Sequence, residues 1–250
     1  MSTGPWSASV AAGLAWLVCA GAAHASPGAA DVINDPGVDK GELSAQVGFA
    51  GLLAGRSGER DAAGEAEVGY GFSDRFSLTV VASFADPPHS GPAVSSVEVQ
   101  ALYNFGKVAG LETGLRLALS HGMHGEDDGV EVQALFMREA GPFEGRFNII
   151  AGKSLAGGGQ GVDLGYAVLA VVRAAPHLQL GAKALGGFDV DPAIDTSARH
   201  YVGPTAVAEL PLPRGLGAVR LEGAWMAALG SARVESRGAW SLIAQWQRAF

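Results

Sequence analysis

Apolar and polar residues alternate with a period of two along almost the whole chain after residue 41. In residues 111–120, four leucines and one threonine share a face, and the opposite face carries Glu112 and Arg116. All charges lie on one side, which is the pattern of a β-strand with one apolar face. Residues 94–105 repeat the pattern, with Leu102 as the exception on the polar side. The chain is therefore predicted to be all-β.

The alternation predicts a series of strands separated by turns. Most are about 10–13 residues long, and a tilted strand needs ~9–11 residues to cross a bilayer. Twelve segments follow: 41–54, 63–72, 75–86, 94–105, 111–121, 129–138, 144–155, 162–173, 178–188, 199–211, 218–228 and 238–250.

The connections between these segments alternate roughly between short and long. The short ones are 73–74, 106–110, 139–143, 174–177 and 212–217, and the others tend to be longer and more polar. Bacterial outer-membrane barrels have short periplasmic turns, longer outer loops and an even strand count. The pattern therefore predicts a transmembrane antiparallel up-and-down β-barrel of about 12 strands, with both termini in the periplasm. Ten or 14 strands remain alternatives, because segments 63–72 and 144–155 are ambiguous.

Composition favours a membrane protein over a soluble one. Only 17% of the residues are charged and 48% are hydrophobic, whereas a soluble protein is usually ~25% charged. No apolar run after residue 25 reaches the ~18 residues of a spanning helix. An open sheet would leave unpaired backbone groups in lipid, so a closed barrel is expected. A soluble β-sandwich or a secreted barrel is the alternative.

The N-terminal region divides into two predicted segments ahead of the barrel at 41–250. Residues 1–25 resemble a secretory signal, with an apolar stretch that ends in Ala23-His24-Ala25, although no Lys or Arg precedes it. A single transmembrane anchor is the alternative. Residues 26–40 are rich in Pro, Gly and Asp, and we expect an irregular leader that either lies in the periplasm or plugs the lumen.

The polar face of the strands is expected to line the lumen. It carries eight acids and four bases, which predicts a narrow, mildly cation-favouring channel or transporter for small solutes. The alternative is a non-conducting structural or adhesion barrel whose lumen is closed by an ion network or by residues 26–40. The predicted lining residues are Glu42, Glu65, Glu67, Glu98, Glu112, Arg116, Glu131, Arg146, Asp163, Lys183, Arg220 and Glu222.

Evidence for an enzyme or a metal site is weak. His121 and His124 lie in a polar outer loop beside three carboxylates, and imidazole and carboxylate can bind a divalent metal. We predict no metal and no cofactor, because a turn imposes no fixed ligand geometry. Ser120 next to His121 could suggest a barrel-wall hydrolase, but adjacent strand residues point to opposite faces. The net charge of −8 argues against a nucleic-acid partner.

The closing strand carries an expected insertion signal, Trp246 and Phe250, for the barrel-assembly machinery. Arg248 stands where an apolar residue is usual. With the hairpin Gly-Tyr-Gly-Phe-Ser-Asp-Arg-Phe at 69–76, the chain resembles uncharacterised proteobacterial outer-membrane barrels similar to the phenol-degradation meta-pathway barrel proteins, which are presumed transporters. The resemblance implies a location in the Gram-negative outer membrane, in contact with its lipid, and transport of an unknown small solute.

Overall fold

The computed structural model describes residues 33–53, 62–85, 93–155, 162–190 and 198–250. The predicted signal, residues 1–25, and the first part of the leader, residues 26–32, lie outside these described residues.

Twelve antiparallel strands among the described residues form one closed barrel, in agreement with the predicted fold class. Each strand pairs with its neighbours in sequence, and β1 pairs with β12. The strands are β1 (Glu42–Leu53), β2 (Ala62–Ser73), β3 (Phe76–Ala85), β4 (Ala93–Val108), β5 (Leu111–Gly122), β6 (Gly129–Ala140), β7 (Phe143–Ser154), β8 (Val162–Ala175), β9 (Leu178–Val190), β10 (Ala198–Pro211), β11 (Ala218–Gly230) and β12 (Gly238–Ala249).

The connections at the end of the barrel that holds the termini are short. Two-residue turns join β2 to β3, β4 to β5, β6 to β7 and β8 to β9. Two of these turns are tighter than the predicted 106–110 and 139–143, because β4 continues to Val108 and β6 to Ala140. At Ala109-Gly110 both φ angles are positive, 51° and 82°, as a two-residue hairpin turn of the twisted type requires.

The outer wall of the barrel is apolar. Large side chains that alternate with buried polar ones are exposed along every strand, among them Phe49, Val80, Leu119, Ile149 and Leu242. A closed barrel satisfies all backbone groups between strands, so this wall can face hydrocarbon. Within the described residues, no helix combines the length and apolar character needed to cross a membrane.

The interior differs between its two sides. Most of the inward-facing apolar side chains form one buried cluster that lies mainly on β7–β12 and includes Leu169, Leu185 and Met226, together with Ile33 and Ala50 of β1. A short helix, α1 (Ala232–Glu235), joins this cluster through Ala232, which is fully buried. The interior of β1–β6 is mainly polar. The fold therefore packs one side of the barrel with its own side chains and leaves a polar wall on the other.

The barrel closes where the two ends of the described chain meet. Glu42 is in register with Ala249, and the N–H of Phe250 donates a hydrogen bond to the carbonyl of Gly41 at 3.1 Å. Gly41 has a φ of +78°, and a Cβ there would lie 2.9 Å from the carbonyl oxygen of Phe250. Both the positive φ and the close backbone approach favour glycine at this position.

Candidate functional site in the barrel interior

All twelve residues predicted to line the lumen belong to the inward-facing set of side chains. Nine of them are buried: Glu42, Glu65, Glu67, Glu98, Arg116, Glu131, Arg146, Lys183 and Glu222. Glu112, Asp163 and Arg220 are partly exposed. Their role as the lining of a conducting pore stays a prediction.

The charges divide unequally between the two sides of the interior. Of the twelve residues, six acids and Arg116 lie on β1–β6, whereas Asp163, Glu222 and three bases lie on β7–β12. The excess of acids that the sequence indicates is therefore confined to the polar wall of β1–β6.

Arg146 on β7 is the centre of a group of buried ion pairs. Its Nε donates to Glu144 Oε1 at 2.8 Å, and its Nη1 lies 3.0 Å from Asp35 Oδ2. The same Nη1 donates to the carbonyl oxygen of Ile33 at 3.2 Å. Gln179 adds a 3.2 Å hydrogen bond to the other oxygen of Glu144. Sequence reasoning missed Glu144, although it shares a strand face with Arg146 and its position two residues earlier could have identified it.

Two further buried ion pairs link strands of the wall, one between β5 and β6 and the other between β9 and β11. Arg116 donates through Nη2 to Glu131 Oε1 at 3.1 Å and through Nη1 to Gln100 Oε1 at 3.2 Å. Lys183 donates to Glu222 Oε1 at 3.0 Å, and the exposed fraction of the Lys183 side chain is zero. A charge so far from water is tolerated only when it is paired.

The described part of the leader lies inside the barrel. Residues 33–38 are all buried, and their contacts are with the inner faces of the wall strands. Besides the ion pair of Asp35 with Arg146, Asn34 Nδ2 donates to Gln133 Oε1 at 3.2 Å. With its amide oriented to suit its neighbours, Asn148 accepts from the N–H of Asn34 at 2.9 Å and donates to its carbonyl at 3.0 Å.

Apolar contacts hold the same segment against the wall. Val38 packs in a buried cluster with Leu102 and Leu135. Leu102 was the one apolar residue on the polar face of its strand, and this contact explains it. Pro36 lies against Gly114, where an added Cβ would come within 2.9 Å of the proline Cβ. The wall therefore holds the leader in two ways, through apolar contacts with Val38 and Pro36 and through the ion pair of Arg146 with Asp35.

Three polar side chains form a row across the inner face of β1, β2 and β4, which we call the acceptor row: Gln46, Glu67 and Glu98. Gln46 is in register with Glu67, Glu67 with Val81, and Val81 with Glu98. Each of the three polar residues is at most 5% exposed.

The loop between β5 and β6 does not assemble a catalytic pair from Ser120 and His121. Ser120 is buried on the inner face, whereas His121 is exposed with its Nδ1 2.7 Å from Asp128 Oδ1. The hydrogen bonds from His121 and from the N–H of Gly122 hold the pKa of Asp128 below its usual value. His124 is also exposed, and no group of three potential metal ligands occurs among the described residues.

The two residues of the expected insertion signal lie near the end of the barrel that holds the termini. Trp246 donates through Nε1 to the carbonyl oxygen of Leu216 at 2.8 Å. Phe250 is 74% exposed, and the guanidinium of Arg248 lies 4.5 Å from its ring centre. Their recognition by the assembly machinery stays a prediction.

Comparison with solved structures identifies barrels of the same architecture. The chain is similar to the COG4313 outer membrane channel from Pseudomonas putida F1, with 13% identity, a TM-score of 0.55, and coverage of 85% of this chain and 97% of that one. It is also similar to the NanC porin, with 6% identity, a TM-score of 0.55, and coverage of 83% and 99%. No protein-family model and no curated protein sequence matches the chain. At these identities the likeness establishes the fold.

Proposed function

We propose that the chain is an outer-membrane channel or transporter for small solutes. The observation that carries the proposal is the asymmetry of the interior, where the main apolar cluster lies on the β7–β12 side and a mainly polar wall lies on β1–β6. A barrel filled entirely for stability would have no need of a wall rich in Glu, Gln and Ser, since burying such groups costs free energy. Twelve strands lie between the self-filled small barrels and the wide porins.

The leader makes the proposed path narrow. Residues 33–38 occupy space inside the barrel, where they contact β4–β7 and, through Ile33, the apolar cluster, so we expect the polar wall of β1–β3 to line the wider part of the path. We expect a small conductance from the complete mature chain and a larger one when the leader is removed.

The cellular location and the family of the barrel are part of the same proposal. Two solved neighbours are named as an outer membrane channel and a porin, and together with the 69–76 hairpin and the apolar outer wall they support an outer-membrane location and kinship with the phenol-degradation barrels. Insertion by the barrel-assembly machinery follows from that location. The proposal includes no enzymatic activity.

Single-channel recording in planar lipid bilayers tests the proposal. Refolded mature protein and a variant without residues 26–40 are compared at equal protein concentration, with heat-modifiable gel migration as the check that each is folded. Discrete current steps that are larger in the shortened variant are the expected result. The absence of current from both folded proteins would overturn the channel.

A non-conducting structural barrel is the second candidate, and the buried ion pairs favour it. Arg116–Glu131 ties β5 to the neighbouring β6, and Lys183–Glu222 ties β9 to β11 across β10. This function predicts a folded barrel that passes no current with or without the leader, so the same recordings separate the two candidates.

A further inference from the structure

The acceptor row carries hydrogen-bonding capacity that the described protein does not use. Both carboxylate oxygens of Glu67 lack a hydrogen-bond partner, and so do Oε1 of Glu98 and Oε1 of Gln46. These atoms can only accept hydrogen bonds when the carboxyls are ionised. An unpartnered carboxylate that is shielded from water is costly, so such groups are expected to meet a donor.

The bases of the interior are already engaged elsewhere. On the β1–β6 side, both terminal nitrogens of Arg116 donate to Gln100 and Glu131. Across the barrel, Lys183 donates to Glu222 and Arg146 to Glu144 and Asp35. The protein thus pairs its interior cations while the acceptor row retains open acceptors.

The geometry around the row brings several carboxyl groups to one place. Glu67 and Glu98 share a face with one strand between them, which separates their backbones by roughly 10 Å. Glu65 lies two residues from Glu67 on the same face, about 7 Å away along the strand. Gln46 adds an uncharged acceptor directly beside Glu67. Side chains of this length can therefore converge on one small ligand.

We propose that the acceptor row of Gln46, Glu67 and Glu98 binds a small organic cation that carries several N–H donors, of the guanidinium or primary ammonium class. The inference rests on the proposed channel and gives the class of solute that it would select. A guanidinium group offers donors in a planar fork that matches carboxylate oxygens. The described residues contain no group of three metal ligands, so the row suits N–H donors better than a chelated metal ion.

Equilibrium binding tests the site without requiring current. The mature protein, folded in detergent micelles, is titrated calorimetrically with guanidinium chloride and, separately, with tetramethylammonium chloride, which has the same charge and no N–H donor. Saturable guanidinium binding that is at least about tenfold tighter than tetramethylammonium binding is expected, because hydrogen bonds to charged groups contribute that much or more.

Variants then assign the binding to the row. Glu67→Gln, Glu98→Gln and the uncharged change Gln46→Leu should each weaken guanidinium binding, and Glu67→Gln by about tenfold or more. Glu139→Gln removes an exposed acid beside the turn between β6 and β7 and serves as the matched control. Neutralising Glu67 or Glu98 breaks none of the ion pairs described above, so we expect both variants to fold, and heat-modifiable migration checks this.

The binding experiments and the single-channel recordings can fail independently of each other. Equal binding of the two cations, no saturable binding, or unchanged binding in Glu67→Gln and Glu98→Gln would overturn the cation site and mean that water alone satisfies these oxygens. Guanidinium binding in a barrel that passes no current would leave the site standing and remove the channel.

Discussion

Arg146 of β7 and Asp35 of the leader form an ion pair of 3.0 Å inside the barrel, between residues that are more than a hundred positions apart in sequence. Both side chains of the pair are buried, so the pair connects the irregular N-terminal segment to the wall at a point that is shielded from water. Arg146 is also held by Glu144 at 2.8 Å, and it therefore keeps a partner when the leader moves away.

The variant Asp35→Asn should loosen the leader without destabilising the barrel. Loss of one charged hydrogen bond costs about 1–3 kcal/mol, and Glu144 continues to neutralise Arg146. We expect a cysteine placed at Val38 to react faster with a membrane-impermeant maleimide in this background. Asp39→Asn, which removes the same charge from a residue without an ion pair to Arg146, is the control. Equal labelling rates in all backgrounds would contradict the anchoring role.

A second variant displaces the leader sterically. In Gly114→Val, a Cβ within 2.9 Å of the Pro36 Cβ and 3.2 Å of a backbone oxygen leaves no room for both groups, so the same labelling at Val38 should increase. Gly187→Val is the matched control, because the nearest atom to a Cβ there is 3.9 Å away. If both valines had the same effect on labelling, the contact with Pro36 would not be the cause.

Removal of the buried ammonium group should be the most destabilising change of those considered. Lys183→Met leaves Glu222 buried and unpaired, which costs about 3–5 kcal/mol. Urea unfolding of the protein in lipid vesicles, followed by tryptophan fluorescence, measures the loss. The double variant with Glu222→Leu should recover most of it, since apolar replacements of a buried ion pair are often neutral. A double variant no more stable than Lys183→Met would argue against the pairing.

The outer loop between β5 and β6 should be sensitive to acid. The pKa of Asp128 is lowered from 3.8 by its hydrogen bonds, so the carboxylate orders the loop above pH 3.8 and loses this contribution as the pH falls through the lowered pKa. Carbon-detected NMR titration of Asp128 measures the shift directly. In His121→Ala the pKa should return toward 3.8, whereas His124→Ala should leave it unchanged.

Deletion of Phe250 should impair assembly more than it impairs the stability of the finished barrel. Phe250 follows the last strand residue and is 74% exposed, so few native contacts are lost with it. Assembly yield in vesicles that contain the barrel-assembly machinery, and urea unfolding of barrels already formed, measure the two effects. Phe143→Ala, which truncates another exposed aromatic at the same end, is the control. Equal assembly yields with and without Phe250 would refute the prediction.

The strands were predictable because each leaves a local trace in the sequence. Alternation assigns faces, and hairpin connectivity then assigns neighbours, so the pairing of β2 with β3 and of β4 with β5 follows from adjacent residues. Strand ends were less accurate, since charged and small residues such as Lys107 and Glu139 continue a strand as easily as they form a turn.

The interior contacts were less predictable because they cross the barrel or join distant parts of the chain. Lys183 and Glu222 are 39 residues apart, and nothing in either strand alone shows that they meet. The leader has no periodicity, so its place inside the barrel could not be derived from its own residues. Leu102 was the available clue, because an apolar side chain on the polar, inward face of a strand requires an apolar partner inside the barrel.

The pairing of Glu42 with Ala249 has a consequence for the order of folding. Every other strand pair closes a short hairpin, whereas this one joins residues roughly 200 positions apart, and loop closure of that length costs about 5 kcal/mol of chain entropy. The hairpins can therefore form first, as a curved sheet with two unpaired edges. Such edges bind other chains and are not tolerated in lipid. We therefore expect the joint between β1 and β12 to form last, and a chain arrested before it to be an aggregation-prone ribbon.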